Sequence, residues 1–186
     1  MRTLFLDRDG IINIDKGYVY KIKDFVWTDG IFEFLNAAIS LDFQLFVVTN
    51  QSGIGRGYYT ENDFHILTQF MLGILKQNGI CIRHVFYSPY HPDAEIEAYR
   101  IDHETRKPNP GMFYAARDRY GIDFSNAVMV GDRESDAIAA YSAKISHIAI
   151  VNSNLKLNKN SALNFFNVSY FSDLKLCQKW LQSISR

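Results

Sequence analysis

Short apolar runs alternate with longer amphipathic stretches along this chain, and that alternation constrains the fold more than any other feature. Thr3 to Leu6, Gln44 to Thr49, Arg83 to Tyr87, Ala127 to Val130 and His147 to Val151 read as strands. Between the first two, Thr28 to Leu41 places Ile31, Phe32, Leu35, Ala38 and Ile39 at helical spacing. Thr60 to Asn78 carries a stripe of Phe64, Leu67, Phe70, Met71, Ile74 and Leu75, with Thr60 as the N-cap. Pro110 to Tyr120 reads as a helix with proline near its first turn, and Glu134 to Ala143 and Asp173 to Ile184 follow. Strand and helix in alternation predict an α/β fold, a doubly wound, Rossmann-like parallel sheet covered on both faces. Such sheets bind ligands beyond the carboxyl ends of their strands. The segments just after the strands are therefore where chemistry is expected.

The 186 residues suit one domain spanning 1–186, with no room for a large cap domain. Twenty Lys and Arg balance twenty Asp and Glu. A net charge of zero argues against holding nucleic acid by bulk positive charge, but leaves room for a small anion held by local groups. Met1-Arg2-Thr3 brings a charge before any signal-peptide core, and no run approaches the roughly 20 apolar residues of a membrane span. Cys81 and Cys177 read as two buried, reduced thiols of a cytoplasmic protein; two cysteines exclude a disulfide scaffold or a four-cysteine zinc site.

Two stretches interrupt the alternation. Gly10 to Trp27 and Ser88 to Lys107 are too long for tight connections and read as lids or substrate walls. Asn152 to Asn167, rich in Asn, Ser and Lys, reads as an exposed connection. Gly53-Ile54-Gly55-Arg56-Gly57 has the wrong glycine spacing and place for a dinucleotide loop and reads as a flexible turn. Phe32, Phe64, Phe70 and Phe86 sit at core spacing, and Met71, Met112 and Met129 are core filler. Tyr18, Tyr20, Tyr58 and Tyr59 fall in loops as candidate substrate walls. Tyr170, Phe171, Leu174 and Trp180 are expected to pack the last helix onto the sheet.

The post-strand segments are Asp7-Arg8-Asp9-Gly10, Thr49-Asn50-Gln51-Ser52-Gly53, Arg106-Lys107-Pro108 after the long insertion, and Gly131-Asp132-Arg133-Glu134-Ser135-Asp136. Converging at one sheet edge, they would crowd carboxylates together with a hydroxyl, an amide, a lysine and an arginine. Carboxylates alone would repel and take up protons. A divalent cation removes the conflict, and Mg²⁺ characteristically uses one or two carboxylates plus a substrate phosphate. The set therefore suits phosphoryl transfer, where catalysis is mainly positioning and charge neutralisation. Residues two apart share a strand face, so Asp7 can face phosphorus as a nucleophile while Asp9 reaches the leaving oxygen as acid and then base. Asp136 reads equally as support for that loop or as a helix N-terminal carboxylate.

These four segments resemble the four motifs of the haloacid dehalogenase-type phosphatases. Asp7-x-Asp9-Gly10, Thr49, Lys107 and Gly131-Asp132-x-x-x-Asp136 match in order. Leu6-Asp7-Arg8-Asp9-Gly10, Gly17-Tyr18-Val19, Val48 to Ile54 and Arg106 to Met112 are similar to the D-glycero-D-manno-heptose 1,7-bisphosphate 7-phosphatases, relatives of the histidinol-phosphatases. The resemblance covers about Thr3 to Val151. It implies a Mg²⁺-dependent hydrolase working through an aspartyl-phosphate on Asp7. Asp7, the Asp9 carbonyl and Asp132 would hold the metal, and Thr49 and Lys107 the transferring phosphoryl group. Asp15, Lys16, Gly17, Tyr18, Asn50, Gln51, Ser52, Arg106 and Arg133 would line a small phosphorylated sugar, with Arg106 recognising it. No nucleic acid or membrane partner is implied, and the expected state is a monomer.

One departure concerns a zinc ion that typical members hold through three cysteines and a histidine. The matching positions here are Ser88, Tyr90, His103 and Thr105, so no structural zinc is expected. The loop must then be held by packing and hydrogen bonds, for instance by Tyr87, Tyr90 and Tyr99. An improvised metal site from His91, His103 and Asp93 or Asp102 competes with the plainer reading of two solvated histidines. As alternatives to the heptose activity stand histidinol phosphate as substrate, a polynucleotide 3′-phosphatase, and a non-catalytic sugar-phosphate-binding protein.

Overall fold

The structure is a computed structural model, and it describes residues 2–152 and 168–185. Six parallel strands form one sheet: β1 (Arg2–Leu6), β2 (Phe43–Asn50), β3 (Ile82–Ser88), β4 (Ala127–Gly131), β5 (His147–Val151) and β6 (Val168–Phe171). Their order is β3-β2-β1-β4-β5-β6. The chain builds outward from β1 on one side, then crosses to the other at β4, so β1 and β4 flank the switch in strand order. Leu6 lies opposite Val47 on one side and Val130 on the other, which brings the ends of β1, β2 and β4 level.

Alternation along each strand builds two cores. Leu4, Leu6, Leu45, Val47, Val128 and Val130 pack on α1 (Ile31–Ser40), the long helix Glu61–Gln77 and the last helix Leu174–Ile184. Phe5, Phe46, Val48 and Met129 face the opposite way, towards Phe113 and Ala116 of Gly111–Tyr120 and Ala137 and Ala140 of Glu134–Ser142. With a one-turn helix Ser52–Gly55 counted, the helices are α1, α2 (Ser52–Gly55), α3 (Glu61–Gln77), α4 (Gly111–Tyr120), α5 (Glu134–Ser142) and α6 (Leu174–Ile184). Phe5 is fully buried, with Phe113 edge-on at 5.0 Å. Truncating such a side chain to alanine costs about 3–5 kcal/mol. Thr60 caps α3 as its sequence predicts: Asp63 N–H donates to Thr60 Oγ1, and Asp63 Oδ2 accepts from Thr60 N–H.

Several expectations need correction. Cys81 is exposed, and only Cys177 is buried. The turn at Gly53 to Gly57 begins with α2, and its glycines 53 and 55 are buried in close contacts. Tyr59 is largely buried, and what remains exposed of it lines the site cavity. Phe171, Leu174 and Trp180 join the core beneath α6, but Tyr170 points to the opposite face of β6. The connection expected at 152–167 lies, beyond Asn152, outside the described residues.

Candidate active site

The four post-strand segments do converge. Asp7 continues the ladder beyond β1 through its N–H to the Val130 carbonyl. Its Oδ1 accepts the Arg8 N–H at 2.7 Å and lies 3.0 Å from Lys107 Nζ. Lys107, only 2% exposed, also donates to the Val48 carbonyl and stands 2.5 Å from Asp136 Oδ1. The backbone of Lys107 is pinned by Asn50, whose side chain accepts from its N–H and donates to its carbonyl. Asp136 is fully buried, and its Oδ2 accepts the Arg133 N–H at the start of α5. The two readings of Asp136 thus hold together: it caps the helix and pairs with the lysine.

Asp132 completes the cluster. Asp7, Asp132 and Asp136 each offer an oxygen within 4.8 Å of the others. Gly10 makes this approach possible, because a Cβ there would stand 2.3 Å from Asp132 Oδ2 and its φ is +91°. Gly131 does the same for Asp136, whose Cβ would lie 2.4 Å from an added one.

Burial first, then the neighbouring carboxylates Asp136 and Asp9, push the Asp7 carboxyl up to about 7 against the pull of Lys107. Burial, then Asp7 and Asp136, push Asp132 up to about 8. Burial opposes the Lys107 charge, but Asp136 and Asp7 outweigh it and hold its pKa up. Once ionised, three carboxylates around one lysine leave negative charge in a buried place. Asp132 Oδ1 is buried with no hydrogen-bond partner. An all-oxygen set with surplus negative charge and an unsatisfied oxygen fits a hard divalent cation such as Mg²⁺.

Over this cluster opens a cavity of about 440 Å³. Asp7, Asp9, Thr49, Arg106, Lys107 and Arg133 line it, as do Asp15, Gly17, Tyr18, Asn50, Gln51 and Ser52. Lys16 is exposed and is not part of this wall. Arg133 Nη2 meets Asp15 Oδ2 at 2.5 Å, joining the loops after β1 and β4. Arg106 donates to the Tyr90 carbonyl. Tyr18 adopts a left-handed φ of 52° and packs edge-on to Tyr58 at 4.7 Å. The sequence reading missed Arg8 and Asn13, and it named Tyr59 only as a loop wall. Arg8 is buried over the Phe64 ring and binds Asp9 and the Val19 carbonyl. An arginine after a strand carries no local mark of such burial.

The positions matched to zinc ligands come together without thiolates. Thr105 Oγ1 lies 3.2 Å from Ser88 Oγ and 2.8 Å from His103 Nδ1, and His103 stacks on Tyr90 at 3.9 Å. Tyr90 also meets Tyr99, whose hydroxyl donates to Glu61. His91 lies against Arg56 and stands 3.8 Å from Asp93. Among the described residues, the three-carboxylate cluster is the group placed to hold a metal, and the loop histidines are not part of it.

A family model described as HAD-hydrolase-like matches residues 104–161. The chain is 46% identical over 150 residues to a D-glycero-alpha-D-manno-heptose-1,7-bisphosphate 7-phosphatase of Burkholderia mallei, covering 81% of this chain and 79% of that protein. A Campylobacter jejuni protein of the same name is 40% identical over 173 residues, covering 89% and 95%. The crystal structure of a D,D-heptose 1,7-bisphosphate phosphatase from B. bronchiseptica, complexed with magnesium and phosphate, superposes with a TM-score of 0.81 at 25% identity, covering 99% of both chains.

Proposed function

The chain belongs to the HAD-like phosphatases, and from that membership and its site we propose that it removes the 7-phosphate of D-glycero-D-manno-heptose 1,7-bisphosphate. The observation that carries the reading is that Asp7, on the cavity wall, has the Lys107 ammonium at 3.0 Å on one side and carboxylate oxygens of Asp132 and Asp136 within 4.8 Å. Asp7 attacks phosphorus through a carboxylate oxygen, and the bond from phosphorus to the sugar oxygen breaks. Asp9 gives its proton to that leaving oxygen, a contribution of about 10²–10⁴-fold for a poorly leaving alkoxide. Asp9 then takes a proton from water as the water oxygen attacks phosphorus and frees Asp7. Thr49 and Lys107 hold the phosphoryl oxygens, and Lys107 also lowers the electrostatic cost of a second anion beside Asp7.

The side chains of Asp7 and Asp132, with the Asp9 carbonyl, would hold Mg²⁺, which when bound supplies positive charge against the transferring phosphoryl group. The non-reacting phosphate and the sugar meet Arg106, Arg133 and the loops around Asp15 to Tyr18 and Asn50 to Ser52. No zinc takes part in this reading, since Ser88, Tyr90, His103 and Thr105 offer no thiolate. In this reading the chain acts as a monomer and as one uncapped domain, the segments from Asp7 to Thr49 and from Thr49 to Lys107 being too short for a cap domain of their own. Zero net charge disfavours nucleic acid, and two free cysteines suit the cytoplasm. No helix among the described residues is long and apolar enough to cross a membrane.

Phosphate release from heptose 1,7-bisphosphate, fructose 1,6-bisphosphate and histidinol phosphate, with and without Mg²⁺, tests the reading. The heptose ester is expected to have the highest kcat/KM, and only with Mg²⁺. Preference for histidinol phosphate would replace the substrate, and no Mg²⁺-dependent release from any ester would end the enzymatic reading.

A further inference from the structure

The carboxylate of Asp9 lies on the cavity wall, held from three sides by buried donors. One Arg8 guanidinium nitrogen reaches both of its oxygens, at 2.9 and 2.8 Å. Asn13 Nδ2 donates to Oδ1 at 3.0 Å, and Gln51 Nε2 donates to Oδ2 at 3.0 Å. Gln51 is 1% exposed, and its nitrogen also donates to Thr49 Oγ1 at 2.8 Å. Its carbonyl oxygen accepts from the Tyr59 hydroxyl at 2.6 Å. Both amide hydrogens and the amide oxygen are therefore committed to protein groups.

Chemistry fixes the direction of this chain. In the ionised form that later takes a proton from water, Asp9 only accepts, so the Gln51 nitrogen, not its oxygen, faces it. Oε1 then faces Tyr59, whose phenol must donate. Thr49 receives a hydrogen from Gln51 and keeps its own hydroxyl proton to give to an acceptor in the cavity. The Tyr59 ring is itself fixed. It stacks on Tyr20 at 5.0 Å and 10°, and it fills the place where a Cβ on Gly53 would stand, 2.2 Å from Tyr59 Cε1.

We infer that Tyr59 and Gln51 are positioning residues, a hydrogen-bonded relay that aims Asp9 at the leaving oxygen and turns the Thr49 hydroxyl towards the phosphoryl group. This rests on the proposed reaction, and it moves Gln51 from a substrate contact to a group that acts through two catalytic side chains. The relay explains why Gln51 is buried under a polar cavity, and why a glycine stands at 53, where any side chain would push Tyr59 off Gln51.

The test compares two esters in each variant, so that loss of folded protein cancels. The sugar of heptose 1,7-bisphosphate leaves as an alkoxide and needs the Asp9 proton, whereas the nitrophenol of para-nitrophenyl phosphate leaves as a stable phenolate and does not. Tyr59→Phe removes only the phenolic hydroxyl, and Gln51→Met removes the amide at similar volume. Loss of one well-placed hydrogen bond to a charged group predicts that Gln51→Met lowers the ratio of kcat on the sugar ester to kcat on the aryl ester by about tenfold. Tyr59→Phe is expected to lower it in the same direction by less, and Asp9→Asn to lower it most. Equal losses on both esters in the Gln51 and Tyr59 variants would overturn the aiming of Asp9, and no loss on either would overturn the whole relay. Equal losses in Asp9→Asn as well would instead overturn the role of Asp9 and the reaction itself.

Discussion

Removing magnesium from this protein should make its stability fall as pH rises, and the site sets the size of the fall. Burial and neighbouring carboxylates raise the Asp7 carboxyl from 3.8 to about 7 and Asp132 from 3.8 to about 8. In the unfolded chain both ionise near the ordinary value. Between those limits the folded protein holds more protons than the unfolded one, so this contribution is fully present below about pH 4 and lost as pH climbs through 7 to 8. For Asp7 alone the displacement from 3.8 to about 7 corresponds to about 4 kcal/mol. Asp132 does not add in full, because each carboxylate raises the other. Even the single contribution is a large share of a typical stability of about 5–15 kcal/mol. Magnesium meets ionised ligands only at the upper end, so its stabilising effect should grow with pH. Urea unfolding at about pH 5 and about pH 8, in EDTA and in Mg²⁺, reads this directly. A metal-free midpoint that holds steady or rises over that range would refute the reasoning. So would a magnesium shift of the same size at both pH values.

Lys107→Met leaves Asp7 and Asp136 buried without their cation and should destabilise by about 3–5 kcal/mol in urea unfolding. Adding Asp136→Asn should recover part of that loss. Gly10→Ala forces the Asp132 carboxylate away from its seat and should weaken magnesium binding about 10–100-fold by calorimetry. Metal analysis of the purified protein should find no stoichiometric zinc, and one zinc per chain would overturn the reading of the Ser88 to Lys107 loop.

Strands β1, β4 and β5 were legible almost to the residue, because fully buried parallel strands appear as short apolar runs. β6 was not. Its four half-buried residues show no alternation, and their pairing of Val168 with Ile148 is decided by the edge of β5 rather than by local sequence. In the site, Asp7, Asp132 and Lys107 were readable because the sheet rule names the segments that converge. The burial of Arg8 was not, nor was the grip of Asn50, a residue named only for the substrate wall, because their partners are distant backbone or burial that exists only once the chain is folded. Arg8 is covered by Phe64 and reaches the Val19 carbonyl, and Asn50 grips the backbone of Lys107. Tyr59 looked like a loop aromatic, and it is buried because Tyr20 stacks on it and Gly53 yields it space.

The account depends above all on Asp7 capturing the phosphoryl group. Rapid acid quench of the enzyme turning over heptose 1,7-bisphosphate with Mg²⁺, followed by peptide mass spectrometry, looks for that group on the chain. A phosphoryl adduct on the peptide at Asp7, absent in a folded Asp7→Asn protein that releases no phosphate, is the predicted result. Undiminished phosphate release by Asp7→Asn, or an adduct on another residue, would contradict it.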